Sequence, residues 1–169
     1  MNNPKCFGIA GWKNSGKTSL VSALVTEISS RGLIVSTIKH AHHAFDLDTQ
    51  GTDSFKHREA GAKEVMLVSA NRWALQHELR GADEPCFQDM ISKMAGCDLI
   101  LVEGYKREAI PKIEIIGPDN MHEHIWPNDQ KIKAIACDTS LNGCDLPQFE
   151  RSQISDIADF ILKNLDISA

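Results

Sequence analysis

Residues 11–18 read GWKNSGKT and fit the pattern G-x-x-x-x-G-K-[ST] at every fixed position. In such a loop the glycines let backbone N–H groups turn towards phosphate oxygens, the lysine reaches the outer phosphates, and the hydroxyl binds magnesium. Gly11, Gly16, Lys17 and Thr18 take these positions here. The stretch therefore predicts a phosphate-binding loop for a purine nucleoside triphosphate with Mg²⁺, in which Lys17 is the catalytic cation.

The segments around this loop support the prediction. Cys6–Ala10 is short and apolar, as expected of a buried strand, and Ser19–Arg31 carries apolar residues at helical spacing. Gly32 suits the C-terminal cap of that helix, and the apolar, β-branched stretch Leu33–Ile38 predicts a second strand. The helix would add its positive N-terminal end to the phosphate site.

Strands and helices alternate along the rest of the chain. We predict strands at Asp98–Glu103, Lys112–Ile116 and Lys131–Cys137, helices at Asp53–Ala60, Pro85–Ala95 and Ser152–Leu165, and a hairpin from Glu64–Ser69 and Arg72–Leu79. This order is typical of an α/β protein. The predicted fold is a three-layer P-loop NTPase fold with a mainly parallel central sheet and an additional β-hairpin, forming one domain over residues 1–169.

Composition narrows the class of protein. The net charge is −5 and 42% of the residues are hydrophobic, which argues against a general nucleic-acid or membrane-surface binder. The N-terminal residues lack the pattern of a secretory signal, and no apolar run approaches the roughly 18 residues of a membrane span. We therefore expect a cytoplasmic protein.

An acidic residue near the P-loop is expected to help hold the magnesium ion. Glu103 ends the apolar run Leu-Ile-Leu-Val and precedes Gly104, which permits close approach. Asp98 begins the same run, so it would lie at the end of a parallel strand where ligands are not expected. The sequence thus predicts a metal site formed by Thr18 and Glu103.

A polar loop rich in histidine follows the second predicted strand. Residues 39–48 read KHAHHAFDLD, and they would lie at the same edge of the sheet as the P-loop. Imidazole and carboxylate groups can bind a transition metal, position a water, hold magnesium or contact a charged partner. The alternative is a solvated loop with one histidine fixed by a hydrogen bond. We predict Asp46 as a catalytic, water-orienting residue and a partner or effector loop that includes His40, His42, His43 and Asp48.

An aspartate at the end of a late strand is a candidate for base recognition. A carboxylate can accept from the N1–H and N2–H of guanine. The Asn-Lys-x-Asp motif of many GTP-binding proteins is absent, but Asp138 ends the predicted strand that contains Ala134–Cys137. We predict that Asp138 reads guanine. The alternative is a turn or helix-cap aspartate before Thr139.

Several further segments form a combination more specific than the P-loop, which very many enzymes share. They are IKHAHH at 38–43, DLD at 46–48, GTDS at 51–54, REAGA at 58–62, RWAL at 72–75 and DLILVEGYK at 98–106. With the P-loop, these segments resemble the MobB family of P-loop GTP-binding proteins in molybdopterin-guanine dinucleotide biosynthesis. The resemblance runs through most of the chain.

The resemblance implies a GTP-binding homodimer with Mg²⁺ and at most a weak GTPase activity. It implies an accessory or adaptor role beside the guanylyl transferase that joins GMP to molybdopterin, and beside other molybdenum cofactor machinery. By position, the resemblance implies that Lys106 is one of the partner or effector residues and that Thr18 and Glu103 hold the metal. The nucleotide-binding residues would be Gly11, Lys13, Asn14, Ser15, Gly16, Lys17, Thr18 and Ser19.

Two other classes of protein carry similar features. A small-molecule kinase would need an arginine-rich lid, and the one lid-like segment, Gly117–Gln130, contains no arginine. A metallochaperone GTPase would use the histidine-rich loop.

Slow hydrolysis is expected because we find no arginine or glutamine placed as in efficient GTPases, although Lys106 and Arg107 follow Glu103-Gly104 and could approach the phosphates.

Overall fold

The computed structural model describes residues 4–41, 45–118 and 120–168. It contains eight strands and four α-helices within these ranges, in the order β1 Lys5–Ala10, α1 Lys17–Ser30, β2 Val35–Lys39, α2 Asp53–Glu59, β3 Glu64–Val68, β4 Trp73–His77, α3 Phe87–Ser92, β5 Leu99–Glu103, β6 Lys112–Ile116, β7 Ile132–Cys137, β8 Gln148–Phe149 and α4 Ile154–Asn164. A short 3-10 helix spans Trp126–Asn128. None of the described helices is both long and apolar enough to cross a membrane.

The chain forms two compact units. One comprises Met1–His40 with Lys93–Ala169, and the other comprises Ala41–Ser92. The first unit holds a six-stranded sheet in the order β2-β5-β1-β6-β7-β8, in which every neighbouring pair is parallel. The predicted parallel central sheet flanked by helices is confirmed.

The central strands β5 and β6 of the first unit's sheet are buried on both sides, and they are apolar apart from Glu103, Lys112 and Glu114. Every residue of β5 and β6 is buried, as expected for parallel strands covered on two faces. On one face Phe7 and Ile9 pack with residues of α1 and α4. On the other face Ala10 and Ile135 belong to a smaller cluster, against which Trp126 packs.

The strand order explains which chain segments meet at the carboxyl edge of the sheet. β1 lies between β5 and β6, and β5 lies between β1 and β2. Glu103 is in register with both Ile9 and Lys39. The loop after β1, the end of β5 and the end of β2 therefore adjoin one another, while the end of β7 lies two strands away from β1.

The second unit contains the predicted hairpin. β3 and β4 form a two-stranded antiparallel sheet, in which Met66 pairs with Leu75 and Val68 pairs with Trp73. Side chains alternate between the two sides of a strand, so these four apolar residues share one side of the hairpin. All four are exposed.

Two details differ from the sequence predictions. α1 begins at Lys17 instead of Ser19, because the last residues of the P-loop already form the first helical turn. β8 was not predicted, since it has two residues and exists through its pairing with β7. The remaining predicted strands and helices are present, with ends shifted by a few residues.

Candidate functional site

The loop between β1 and α1 has a backbone that favours glycine at fixed places. Positive φ angles occur at Gly11 (152°), Asn14 (64°) and Gly16 (96°). A Cβ atom on Gly11 would lie 2.6 Å from the backbone oxygen of Ile115 and 2.6 Å from Ser15 Oγ. The loop therefore packs tightly against β6. It leads into the N-terminal turn of α1, where unpaired N–H groups favour an anion.

The lysine of the loop is folded against the loop itself. Lys17 Nζ donates a hydrogen bond of 2.5 Å to the carbonyl oxygen of Trp12. Burial lowers the pKa of Lys17; Glu103 opposes this effect, and the ammonium groups of Lys106 and Lys39 add to it. A phosphate in contact with this ammonium group would pair with its positive charge and favour the charged form.

The neighbouring Ser15 hydroxyl is buried and has no hydrogen-bond partner among the described residues. A buried polar atom without a partner costs free energy, so a site of this kind gains from a polar ligand. Both observations fit a loop that binds phosphate oxygens.

The predicted metal residues lie together. The Thr18 hydroxyl donates to Glu103 Oε1 at 3.1 Å, and the Glu103 side chain is 11% exposed. A third group joins them, because Lys39 Nζ lies 3.2 Å from Glu103 Oε1 and 3.5 Å from Thr18 Oγ1. A cation therefore fits between the hydroxyl and the carboxylate, which are oxygen ligands of the type that Mg²⁺ prefers.

Asp138 reaches the phosphate loop through an arginine. Arg151 Nε donates to Asp138 Oδ1 at 2.6 Å, and Arg151 Nη2 donates to Asp138 Oδ2. The same guanidinium group lies 3.4 Å from the carbonyl oxygen of Ser15. These hydrogen bonds hold the pKa of Asp138 below its ordinary value. Asp138 is thus an ionised carboxylate, joined to the loop by one intervening side chain.

An aromatic contact links the P-loop to the segment after β5. Lys106 Nζ lies 3.7 Å from the centre of the Trp12 ring, and the ring of His122 lies against Trp12, tilted by 31° with 4.6 Å between the ring centres. Trp12 Nε1 also donates to the backbone oxygen of Glu123 at 2.9 Å. Burial lowers the pKa of Lys106. Lys106 therefore contacts the P-loop itself, as a cation on an aromatic face.

The protein-family model of molybdopterin guanine dinucleotide synthesis protein B (MobB) matches residues 6–138, which is more than half of the chain. The chain belongs to the MobB family. The P-loop, Thr18, Glu103 and Asp138 all lie in the matched region, whereas Arg151 lies beyond its end.

Relatives of known name agree with the MobB assignment. The molybdopterin-guanine dinucleotide biosynthesis adapter protein of Escherichia coli (strain K12) is 36% identical over 161 residues, which are 93% of this chain and 91% of that protein. The protein of the same name from Haemophilus influenzae is also 36% identical, over 95% of this chain and 90% of its own length. The crystal structure of Bacillus subtilis MobB has a TM-score of 0.75 at 22% identity, covering 95% of this chain and 98% of that one, and so shows the same fold.

The histidine-rich segment of this MobB chain is only partly described. His42 and His43 lie outside the described residues. His40 donates its backbone N–H to the backbone oxygen of Glu103 at 2.9 Å, and its ring lies against Tyr105, tilted by 34° with 4.6 Å between the ring centres. Within residues 4–41, 45–118 and 120–168, no three His, Cys, Asp or Glu side chains are close enough to hold a metal ion together.

The two carboxylates of that segment belong to the second unit and bind an arginine there. Arg58 Nη2 lies 3.0 Å from Asp46 and 2.7 Å from Asp48, and Arg58 Nη1 lies 3.0 Å from Glu78. The structure thus assigns Asp46 and Asp48 a contact that the sequence did not suggest. A catalytic role for Asp46 stays a prediction.

Two residues of the site were missed by the sequence analysis. Lys39 precedes the histidines of residues 39–48, and its place beside Glu103 depends on the pairing of β2 with β5. Arg151 lies between β8 and α4, far along the chain from Ser15. A signal for Lys39 did exist, because it ends a strand at the carboxyl edge of the sheet.

Proposed function

We propose that this protein binds GTP with Mg²⁺ and acts as an adapter in molybdopterin-guanine dinucleotide biosynthesis. The observation that carries the proposal is the joining of Thr18 and Glu103 beside a glycine-dependent P-loop in a chain of the MobB family. The names of the relatives from Escherichia coli and Haemophilus influenzae support the adapter role. Its partner would be the guanylyl transferase of that pathway.

The phosphates would be held by charge and by backbone groups. Lys17 would leave the Trp12 carbonyl for the outer phosphates, and the N-terminus of α1 would face the phosphate oxygens. Thr18 and Glu103 would hold Mg²⁺, which neutralises phosphate charge. The nucleotide-binding role of Lys13, Asn14 and Ser19 is proposed from their places in the same loop.

The test of nucleotide binding is a calorimetric titration with GTP and Mg²⁺. Lys17→Ala removes the ammonium group and should weaken GTP binding about 10- to 100-fold, since a hydrogen bond between charged groups contributes about 1.5–3 kcal/mol. Lys133→Ala is the matched control, because Lys133 is an exposed lysine on β7. Equal affinity of Lys17→Ala and the control would refute the proposal.

We also propose that Asp138 reads guanine while it binds Arg151. A carboxylate has about four lone-pair sites, so two hydrogen bonds from Arg151 leave acceptor capacity for the base. Asp138→Asn should reduce the preference for GTP over ATP. Unchanged preference would remove Asp138 from the base site and leave it as the partner of Arg151.

Hydrolysis should be slow, and Asp46 is the proposed residue for orienting the attacking water. Asp46→Ala should then lower the rate of GTP hydrolysis without changing GTP affinity. Because Asp46 also binds Arg58, thermal unfolding of the variant must be measured alongside the rate. An unchanged rate in a folded variant would remove this role.

The proposed homodimer would use the exposed side of the hairpin. Met66, Val68, Trp73 and Leu75 form an uncharged apolar surface, and such surfaces commonly mark protein interfaces. A second copy would offer the same surface, as two-fold dimers require. Trp73→Arg should convert the dimer to a monomer in light scattering, whereas Met121→Arg, at a position that is 95% exposed, should not.

The adapter role is tested by a pull-down with the guanylyl transferase. We expect more transferase to be retained with GTP than with GDP. Equal retention, or none, would contradict a nucleotide-dependent adapter.

A further inference from the structure

Lys39 places an ammonium group where the proposed metal site needs a cation. Its Nζ atom lies 3.2 Å from Glu103 Oε1 and 3.5 Å from Thr18 Oγ1, and these two oxygens are joined by their own 3.1 Å hydrogen bond. The three groups thus form a closed triangle. Lys39 ends β2 in register with Glu103, so the backbone of the sheet fixes this approach.

The contact is more specific than an ordinary surface ion pair. Exposed ion pairs contribute little to stability, and many contribute nothing measurable. Here the carboxylate is 11% exposed and also accepts from Thr18 of the P-loop. The lysine is 59% exposed, so it can move out of the triangle without disturbing the core. One partner is therefore fixed and the other is movable.

A magnesium ion bound to Thr18 and Glu103 could not share these oxygens with Lys39. Both cations would need the same two oxygens, and like charges within a few ångströms repel strongly. Binding of the metal should therefore displace Lys39. Without the metal, the ammonium group is available to the phosphates that Mg²⁺ would otherwise neutralise.

We propose that Lys39 is a resident counter-cation of the nucleotide site, which takes the position of Mg²⁺ and neutralises the phosphates of metal-free GTP. The inference rests on the proposed binding of GTP at the P-loop. It predicts that the protein binds GTP appreciably in the absence of metal. It also predicts that Mg²⁺ increases affinity less than it would if Lys39 were absent.

The experiment measures the dissociation constant of GTP by calorimetry, once with EDTA and once with saturating Mg²⁺. Lys39→Met should weaken binding about 10-fold or more in EDTA, as expected from the loss of a hydrogen bond between charged groups. The same variant should bind within about 3-fold of wild type in Mg²⁺, because the metal then replaces the lysine. The ratio of the dissociation constant in EDTA to the dissociation constant in Mg²⁺ should thus be higher in this variant than in wild type.

Three variants serve as comparisons. Lys39→Arg keeps the charge and should keep the wild-type ratio. Lys163→Met removes an exposed lysine from α4 and should also keep it. Lys39→Gln is a second neutral variant, which should repeat the result of Lys39→Met, and thermal unfolding of each variant shows whether the fold is intact.

The possible results separate the inference from the proposed function. An unchanged ratio in Lys39→Met, with GTP binding intact, refutes the counter-cation role alone. Equal weakening with and without Mg²⁺ also refutes it, because Lys39 would then act independently of the metal. Failure of the wild-type protein to bind GTP in Mg²⁺ refutes the proposed function, and the inference with it.

Discussion

Gly11→Ala tests the claim that the shape of the P-loop depends on the close approach of its backbone to β6. The added Cβ would lie 2.6 Å from the oxygen of Ile115, which is backbone of a central strand, and 2.6 Å from Ser15 Oγ. It would also place alanine at a φ of 152°. We expect backbone strain of about 1–3 kcal/mol and overpacking of about 1–3 kcal/mol, or about 2–6 kcal/mol in total.

Two measurements check this expectation. The free energy of unfolding from urea titration should fall by that amount, which corresponds to a decrease in Tm of about 6–18 °C at about 3 °C per kcal/mol for a chain of this size. The oxygen of Ile115 cannot move without breaking the sheet, so the loop must move instead. GTP affinity should therefore fall about 10-fold or more.

Gly32→Ala is the matched control for the backbone conformation. Gly32 has a φ of 86°, but an added Cβ would meet no described atom within 4 Å. We expect this variant to lose about 1–2 kcal/mol from its left-handed conformation and to keep wild-type affinity for GTP. If Gly11→Ala is no less stable than Gly32→Ala and binds GTP equally well, the reasoning about close approach is wrong.

Three other substitutions test ionic contacts. Asp129→Asn removes the charge 2.8 Å from Lys112, whose side chain is 2% exposed, and should cost about 3–5 kcal/mol in urea unfolding at pH 7. Burial raises the pKa of Asp129, but Lys112 and Lys131 together lower it by more, so the net pKa lies below its ordinary value. The difference in stability from wild type should therefore shrink below about pH 4, as Asp129 itself becomes protonated; a constant difference down to pH 2 would contradict this assignment. Glu114→Ala leaves the backbone N–H groups of residues 125 and 126 without their buried acceptor, so the free energy of unfolding in urea should fall by about 2–4 kcal/mol. A loss of less than about 1 kcal/mol would count against this role of Glu114. Arg58→Leu leaves three carboxylates close together, so limited proteolysis should cut residues 45–62 faster than in wild type, and an unchanged rate would show that the ion pairs do not hold this segment.

The sequence was sufficient for the features that depend on local pattern. The P-loop motif predicted the loop, and the apolar run before Glu103 predicted a carboxylate at the carboxyl edge of a parallel sheet. Glu103 then meets Thr18 because the neighbouring parallel strands β1 and β5 place their carboxyl ends together.

Features that depend on strand order or on single side chains could not be predicted in this way. The pairing of β2 with β5 decides that Lys39 reaches Glu103, and strand order is not visible in hydrophobic pattern. Arg151 meets Asp138 and Ser15 across 13 and 136 residues of chain. The contact of Arg58 with Asp46 and Asp48 arises in the same manner, within the second unit.

The arrangement of cations also bears on why a protein with this loop should hold GTP more than hydrolyse it. An interaction speeds a reaction only if it is stronger in the transition state than in the ground state. Lys17 would approach the phosphates from the P-loop, and Lys39 would approach them from the position of the metal. Both would stabilise bound phosphates in the ground state as well as in the transition state. Arg151 also reaches the loop, but its guanidinium group binds Asp138 and the Ser15 carbonyl. Its charge is therefore already balanced, so fast turnover would need a further cation, either Arg107 after β5 or one from another chain.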